Sequence, residues 1–393
     1  MTDTTQEIRA WAYLSRVVEG PSRAMNTLLE HDWKPVDLAN AIVRRDSRLG
    51  ALLGETEARH DWNRADLDCR IANEQGFRLI HPGHPEWPQE EFDLAFGYAA
   101  TGESPHIKTY QSDAAAPHVL WVRGQESLAA LTKQALAIVG SRAVSAYGKA
   151  VTRKIATDLT HYRYTIISGG ALGVDAIAHR AALDAGGPTI AVAACGLDRI
   201  YPVRNTELFK DIARTGLVIS EYPPEFTPQR HRFLTRNRLV AALTQGTVVT
   251  QAPWRSGALN TLSWAAGLGK VTMAIPGPVT EVGSQGCNTK IRDGAAQLVT
   301  GADDIHSLLD SSSTVDPDAQ YELDFAPDAL QQLSRNELRI YDAIPPETGL
   351  TAEKIAAAAG FSLPLTVHLL VTLHKKELID VTAGTWVRRP TDD

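Results

Sequence analysis

The 393-residue sequence predicts an α/β protein. Its centre is a Rossmann-like, doubly wound, mostly parallel sheet, with a small helical domain before it and a compact module after it. Three observations predict this. Apolar runs of strand length recur between residues 136 and 299, each leading into a helical pattern after roughly the length of a βαβ unit. The runs are apolar throughout rather than alternating, as in strands covered by helices on both faces. Glycine or small polar residues follow most of the runs, at the strand ends where open α/β sheets hold ligands. The composition, 44% apolar and 22% charged, excludes whole-chain disorder, collagen and coiled coil.

Residues 1–75 read as short helices. Trp11, Leu14, Val17 and Val18 fall at helical spacing, Gly20-Pro21 breaks the first helix, and Pro35 marks a later start. Leu28, Leu29, Val36, Leu38, Ile42 and Val43 continue the pattern, so this part is expected to be a SAM-like or helix-hairpin-helix-like domain. Phe77–Gly124 is transitional, with a surface loop expected over Thr101–Pro117 and a strand over Val119–Val122. The extended Rossmann-like domain is assigned to residues 76–310. Its runs are Leu136–Val139, Thr165–Ile167, Thr189–Ala193, Leu217–Ile219, Thr247–Thr250, Val271–Ile275 and Gln297–Val299. Residues 311–328 are rich in Ser, Asp and Pro and read as a linker. Over residues 329–393, Ser334 with Glu337 forms a capping box, Thr351 and Ser362 cap two further helices, and a hairpin closes the chain. On the third helix Leu365, Leu369, Val371 and Leu373 are candidates for the core. Three helices and a hairpin resemble a winged helix.

Net charge is −7, unevenly spread. Residues 135–310 carry 18 Lys+Arg against 13 Asp+Glu, while the rest carries 21 against 33. A basic middle between acidic ends suits a polyanion site in the middle. Cys69, Cys195 and Cys287 are dispersed and odd in number, which argues for reduced thiols, a cytoplasmic location and no zinc module. The first residues are polar, and no run of eighteen apolar residues occurs, so neither a leader nor a membrane span is expected.

The strand ends carry the chemistry. Gly140-Ser141-Arg142 follows the first parallel run, with Lys149 one helical segment on. Ser168-Gly169-Gly170 follows the second and leads to Gly173 and Asp175. Ser256-Gly257 follows the fifth, and Asn288 follows the sixth. Glycines at such positions let an anion approach backbone amides, although this is neither GxGxxG nor a P-loop. Arg230–Arg238 interleaves arginines with Phe233, a pattern suited to forking phosphate and stacking on bases. No catalytic constellation emerges. Asp175 and His179 share a helix face but suit bracing, Glu221 lacks a partner carboxylate, and Cys195 lacks a His or Asn. No metal or cofactor is expected.

Taken in order, these stretches resemble the DNA-processing protein A (DprA/Smf) family. They are Ala137–Arg142, Ser168–Asp175 with Ala178-His179, Gly196-Leu197-Asp198 with Tyr201-Pro202, Ser220–Pro224, Phe233 with Arg236-Asn237-Arg238, Ser256-Gly257, Pro276-Gly277 and Gly286/Asn288. One departure is Gln251-Ala252, where members usually have Glu-Ala. The resemblance implies a non-enzymatic, single-stranded-DNA-binding protein that protects DNA entering during natural transformation and helps load a RecA-type recombinase, commonly as a homodimer. It implies a DNA surface of Gly140, Ser141, Arg142, Lys149, Ser168, Gly169, Gly170, Phe233, Arg236, Asn237, Arg238, Ser256, Gly257 and Asn288. Arg142, Arg236 and Arg238 are expected to reach the ligand, and the terminal modules to be dispensable for basal binding. The alternative is a Rossmann-like enzyme of the nucleoside-monophosphate glycosidase type, whose Pro-Gly-Gly-x-Gly-Thr loop is not matched by Pro276-Gly277-Pro278.

Overall fold

The computed structural model describes residues 5–102, 113–310, 333–345, 348–382 and 384–389; the side chain of Arg335 lies outside that description. The expected 311–328 linker therefore falls outside the described residues. The chain forms two compact units, Met1–Ser311 and Ser312–Asp393.

In the first unit the chain begins with α1 (Thr5–Val17), α2 (Arg23–Glu30), α3 (Pro35–Arg44), α4 (Leu52–Glu55) and α5 (Ala65–Gln75). Ser22 caps α2, its side chain accepting from the Met25 amide, and Pro35 opens α3. Trp11, Leu14, Val17 and Val18 are buried, as their spacing predicts, and so are Leu38 and Ile42, whereas Val43 is exposed. β1 (Phe77–Ile80), α6 (Gln89–Ala100), β2 (Leu120–Arg123) and α7 (Leu128–Thr132) follow.

The parallel part alternates: β3 (Ala135–Gly140), α8 (Ala146–His161), β4 (Thr165–Ser168), α9 (Val174–Asp184), β5 (Thr189–Ala193), α10 (Thr206–Thr215), β6 (Leu217–Ser220), α11 (Arg230–Ala242), β7 (Gly246–Gln251), α12 (Gly257–Gly267), β8 (Val271–Ala274), α13 (Gln285–Arg292), β9 (Gln297–Leu298) and α14 (Ala302–Leu309). The sheet order is β1-β2-β6-β5-β4-β3-β7-β8-β9. β1 and β2 are antiparallel to their neighbours, and the pairs from β6 through β9 are parallel. The expected α/β class and mostly parallel sheet are present. The chain runs outward from β3 through β4 and β5 to β6, then returns along α11 to place β7 on the other side of β3. The strand order thus reverses at β3/β7, the point where such sheets open a ligand crevice.

The N-terminal helices do not stand apart from this sheet. Trp11, Leu14, Leu38 and Ile42 share one buried cluster with Ala191, Val218, Leu208 and Phe209. The buried Arg16 guanidinium binds Asp68 of α5 at 2.8 Å and the Pro224 carbonyl at 2.9 Å. Glu19 accepts from Arg232 of α11 at 2.7 Å. Cutting at residue 76 would strip this face bare, so the expectation that residues 1–75 are dispensable gives way. The expected surface loop over Thr101–Pro117 is corrected in its described part: Ala114 and Ala115 are buried, and the Ala115 carbonyl accepts from Arg238 at 3.1 Å.

The second unit holds α15 (Arg335–Asp342), α16 (Ala352–Ala359), α17 (Leu363–Lys375) and the antiparallel pair β10 (Ile379–Thr382) and β11 (Thr385–Arg388) around a core of its own. The Ser334/Glu337 capping box is formed in both directions. On α17 the buried positions are Thr366, Leu369, Leu370 and Leu373, at helical spacing. Leu365 and Val371, expected inward, project outward because they lie off that stripe.

Candidate functional site

At the end of β3 the backbone is pinned to β7. The Ser141 amide donates to the Gln251 carbonyl at 2.7 Å, and the Ser141 hydroxyl donates to the Ala143 carbonyl. Gln251 then bridges to α8: its side chain donates to the Ser145 hydroxyl at 2.8 Å and accepts from the Ser145 amide at 2.9 Å. Ser145 itself caps α8. These bonds aim the next side chain outward. Arg142 is exposed, and among the described residues no carboxylate pairs with it.

At the end of β4 the loop Ser168-Gly169-Gly170 is held from inside. The buried Ser168 hydroxyl donates to the Ile138 carbonyl at 2.6 Å. Asp175 accepts from the amides of Gly169 at 3.2 Å and Ala171 at 3.3 Å. Arg236 donates to the Gly169 carbonyl at 2.7 Å and also to the Val192 carbonyl. A Cβ at residue 169 would collide with that guanidinium, so the close approach requires glycine there. Gly170, at φ +70°, sits against the Phe209 ring. Burial raises the Asp175 carboxyl, with the field of Arg236 opposing; burial lowers Arg236, with Asp175 opposing. The two charges offset one another beneath the loop.

α11 begins over these strand ends. Its first turn holds Arg230, His231 and Arg232 and no acid, an arrangement that repels the positive end of the helix dipole and favours an incoming anion. Arg232 is offset by Glu19, whereas Arg230 is exposed. Phe233 meets Tyr201 with ring centroids 5.5 Å apart. A cleft forms where Arg142, Gly169, Tyr201, Pro202, Phe233 and Arg236 converge. It adjoins a groove lined by Arg142, Lys149, Arg153 and Arg180. Arg180 pairs with Asp211 at 2.9 Å, but among the described residues no carboxylate pairs with Lys149 or Arg153.

The structure thus gathers Arg142, Lys149, Gly169, Phe233 and Arg236, with Gly140, Ser141 and Gly170 as their backbone supports. Other expected site residues lie elsewhere. Ser168 is internal. Arg238 is fully buried, donating to both Glu221 oxygens at 2.9 and 2.6 Å, so its expected reach to the ligand is corrected: the guanidinium neutralises a buried acid. Arg236 lines the cleft, but its charge is spent on backbone carbonyls. Asn237 is buried and donates to Asn260 at 3.0 Å, tying α11 to α12. Ser256 caps α12 with Gly257 exposed beside it. Asn288 makes two bonds to the Gly277 backbone, at 3.0 and 2.9 Å, and holds that loop. Arg153 is the lining residue the sequence reading passed over, while Tyr201 stood in a stretch it singled out but was left off the expected DNA surface. The i, i+4 spacing of Lys149 and Arg153 is a signal that could have found Arg153.

The groups considered for catalysis are engaged. His179 is buried, and its Nδ1 lies 2.7 Å from the Thr189 hydroxyl, which itself donates to the Ile166 carbonyl. Nδ1 therefore carries the proton, and burial pushes the imidazole down to about 3. Burial raises the Cys195 thiol to about 11. Both Glu221 oxygens are occupied by Arg238.

A family model described as DNA recombination-mediator protein A matches residues 79–310. A putative DNA processing protein DprA from Mycobacterium tuberculosis is 40% identical over 378 residues, covering 96% of this chain and 93% of that protein. Protein Smf of Escherichia coli is 35% identical over 276 residues, covering 69% and 72%. The X-ray structure of DNA processing protein A from Streptococcus pneumoniae superposes with a TM-score of 0.61 at 30% identity, covering 79% of this chain and 99% of that one.

Proposed function

Because this chain belongs to the DNA recombination-mediator protein A family and so has a DNA-processing role, we propose that it binds single-stranded DNA across the carboxyl ends of β5, β4 and β3. The observation that carries this reading is the juxtaposition of the Tyr201/Phe233 ring pair with three cations, Arg142, Lys149 and Arg153, that no acid offsets among the described residues. Cations in a groove track a sugar–phosphate chain, and exposed rings stack on bases of any identity. A duplex keeps its bases stacked inside, so the rings favour unpaired strands.

In this reading the protein shields an incoming strand and passes it to a RecA-type recombinase, acting as a homodimer in the cytoplasm. Binding proceeds without turnover. The occupied Glu221, the enclosed His179 and the amide-bonded Asp175 support that, since none presents a free group to a ligand. The winged-helix-like unit serves assembly or recombinase contact.

The test is a titration of labelled single-stranded and duplex DNA of one sequence, alongside an assay for base release from a nucleoside monophosphate. Tighter binding of the single strand with no base released is expected. Release of free base, lost in Glu221→Gln, would establish the glycosidase reading in its place.

A further inference from the structure

Beside the strand-end cleft lies a second concavity with different walls. It opens between α10 and the sheet face formed by β2, β6 and β5, and its polar lining is Arg123, Arg199, Lys210, Gln75 and Tyr201, with Phe209 among its apolar walls. Three of these residues are cations. Among the described residues, no carboxylate lines the concavity.

Arg123 is the lining cation that no carboxylate pairs with among the described residues. It ends β2 on the same face as the buried Trp121, where an aliphatic residue would serve packing. Its guanidinium lies 5.2 Å from the Phe77 ring centroid and donates to Gln75 at 3.3 Å. Its Nε is buried and makes no hydrogen bond among the described residues. That nitrogen is enclosed by protein, so the part of Arg123 open to an acceptor is the exposed Nη2 edge of its guanidinium. Burial lowers this guanidinium's affinity for its proton, with Asp198 opposing. Asp198 does not neutralise it, since one of its oxygens accepts from the Glu225 amide and the other faces Arg199 at 3.6 Å. Among the described residues Lys210 pairs only with the exposed Glu207, at 2.8 Å.

Tyr201 is shared: it lines this concavity and also meets Phe233 in the strand-end cleft. Phe209 is shared more indirectly, since Gly170 of the strand-end loop sits against its ring. We propose that this concavity is a second nucleotide site, its cations taking the phosphate and its Tyr201 wall the base. The occupant is either a free nucleotide or the next nucleotide of a strand already lying over Phe233. The second source rests on the function proposed above, while the first does not.

The test uses the full chain and three charge-altered variants. Arg199→Glu with Lys210→Glu alters the concavity at two half-exposed or more exposed side chains, so the fold is retained. Arg142→Ala alters the strand-end cleft. Arg48→Glu with Arg292→Glu makes the same charge change at exposed sites lining neither cleft. Probes are thymidine 5′-monophosphate and oligothymidylates of short and long length, with thermal midpoints checking each variant. If wild type binds the mononucleotide, Arg199→Glu/Lys210→Glu should weaken it at least roughly tenfold, with Arg142→Ala unchanged. If it binds only strands, the same pair should weaken the long oligonucleotide tenfold and spare the short one. Either result supports the site and names its source. Indifference of both probes to the pair, an equal loss in the Arg48/Arg292 control, or mononucleotide binding that depends on Arg142 instead would overturn it. Loss of oligonucleotide affinity in Arg142→Ala alone would leave the strand-end function standing while this site falls.

Discussion

Arg142 and Arg238 do opposite work in this fold. Arg142 is exposed and has no carboxylate partner among the described residues, so Arg142→Ala should leave the thermal midpoint in place. It should remove one charge-assisted phosphate contact, about 1.5–3 kcal/mol, and weaken single-strand affinity by an order of magnitude or more. Arg238 is fully enclosed, and Arg238→Ala would leave Glu221 charged and alone. Breaking a buried pair costs about 3–5 kcal/mol, so the midpoint should drop sharply, with binding lost only in step with folding. Parallel melting and titration of the two variants would separate these roles. Within the Arg230–Arg238 run the sequence could not, because Glu221 is set opposite Arg238 only by the long crossover from β6 into α11. Gln251 is a similar case. Its amide both donates to and accepts from Ser145, which an ionised glutamate at that place could not do.

Two buried histidines give the fold a pH dependence. Burial pushes His118 down to about 4 and His179 to about 3, both below the ordinary value of 6.5. The unfolded chain therefore binds protons that the folded chain refuses. Stability is full above about pH 6.5 and is lost as pH falls through the window down to 4 and 3. The thermal midpoint should fall across that window, and His179→Asn should make the fall shallower.

At the scale of elements, the proposed binding surface is one face of α8, the start of α11 and the β3 and β4 ends between them. Lys149 and Arg153 lie one turn apart on α8, and Arg142 and Arg230 extend their charge. If these four contact phosphates, log K against log salt should have a slope of roughly −3, about −0.7 per contact on single strands. Lys149→Glu with Arg153→Glu should flatten that slope by about half, and an unchanged slope would remove α8 from the surface. The parallel strands were legible because both faces of each are covered and the runs are apolar throughout. β1 and α6 were not, since β1 is a short edge strand and α6 lies in a stretch crowded with proline. The strand-end glycines were legible as a set. Which polar neighbours face outward was not, because that depends on hydrogen bonds between segments distant in sequence, such as Gln251 at the end of β7 with Ser145 before α8.

For the whole molecule, the charge map and the packing point to one division. Residues 135–310 are basic and the rest is acidic, so the flanks repel the polyanion that the centre attracts. The second compact unit, Ser312–Asp393, has its own core. A chain ending at residue 311 should stay folded, keep its single-strand affinity and gain some at low salt, where screening is weak. Removing residues 1–75 as well should unfold it, because Arg16, Asp68 and Trp11 belong to the shared interior. The central claim, that unpaired strands bind at the strand ends around Arg142, Tyr201 and Phe233, is tested most directly by anisotropy titrations of one labelled sequence, single-stranded and duplex, with wild type and Arg142→Ala. Tighter binding of the single strand, with about a tenfold or greater loss in Arg142→Ala at an unchanged thermal midpoint, is the predicted result. Equal affinity for both DNA forms, or wild-type affinity in Arg142→Ala, would contradict it.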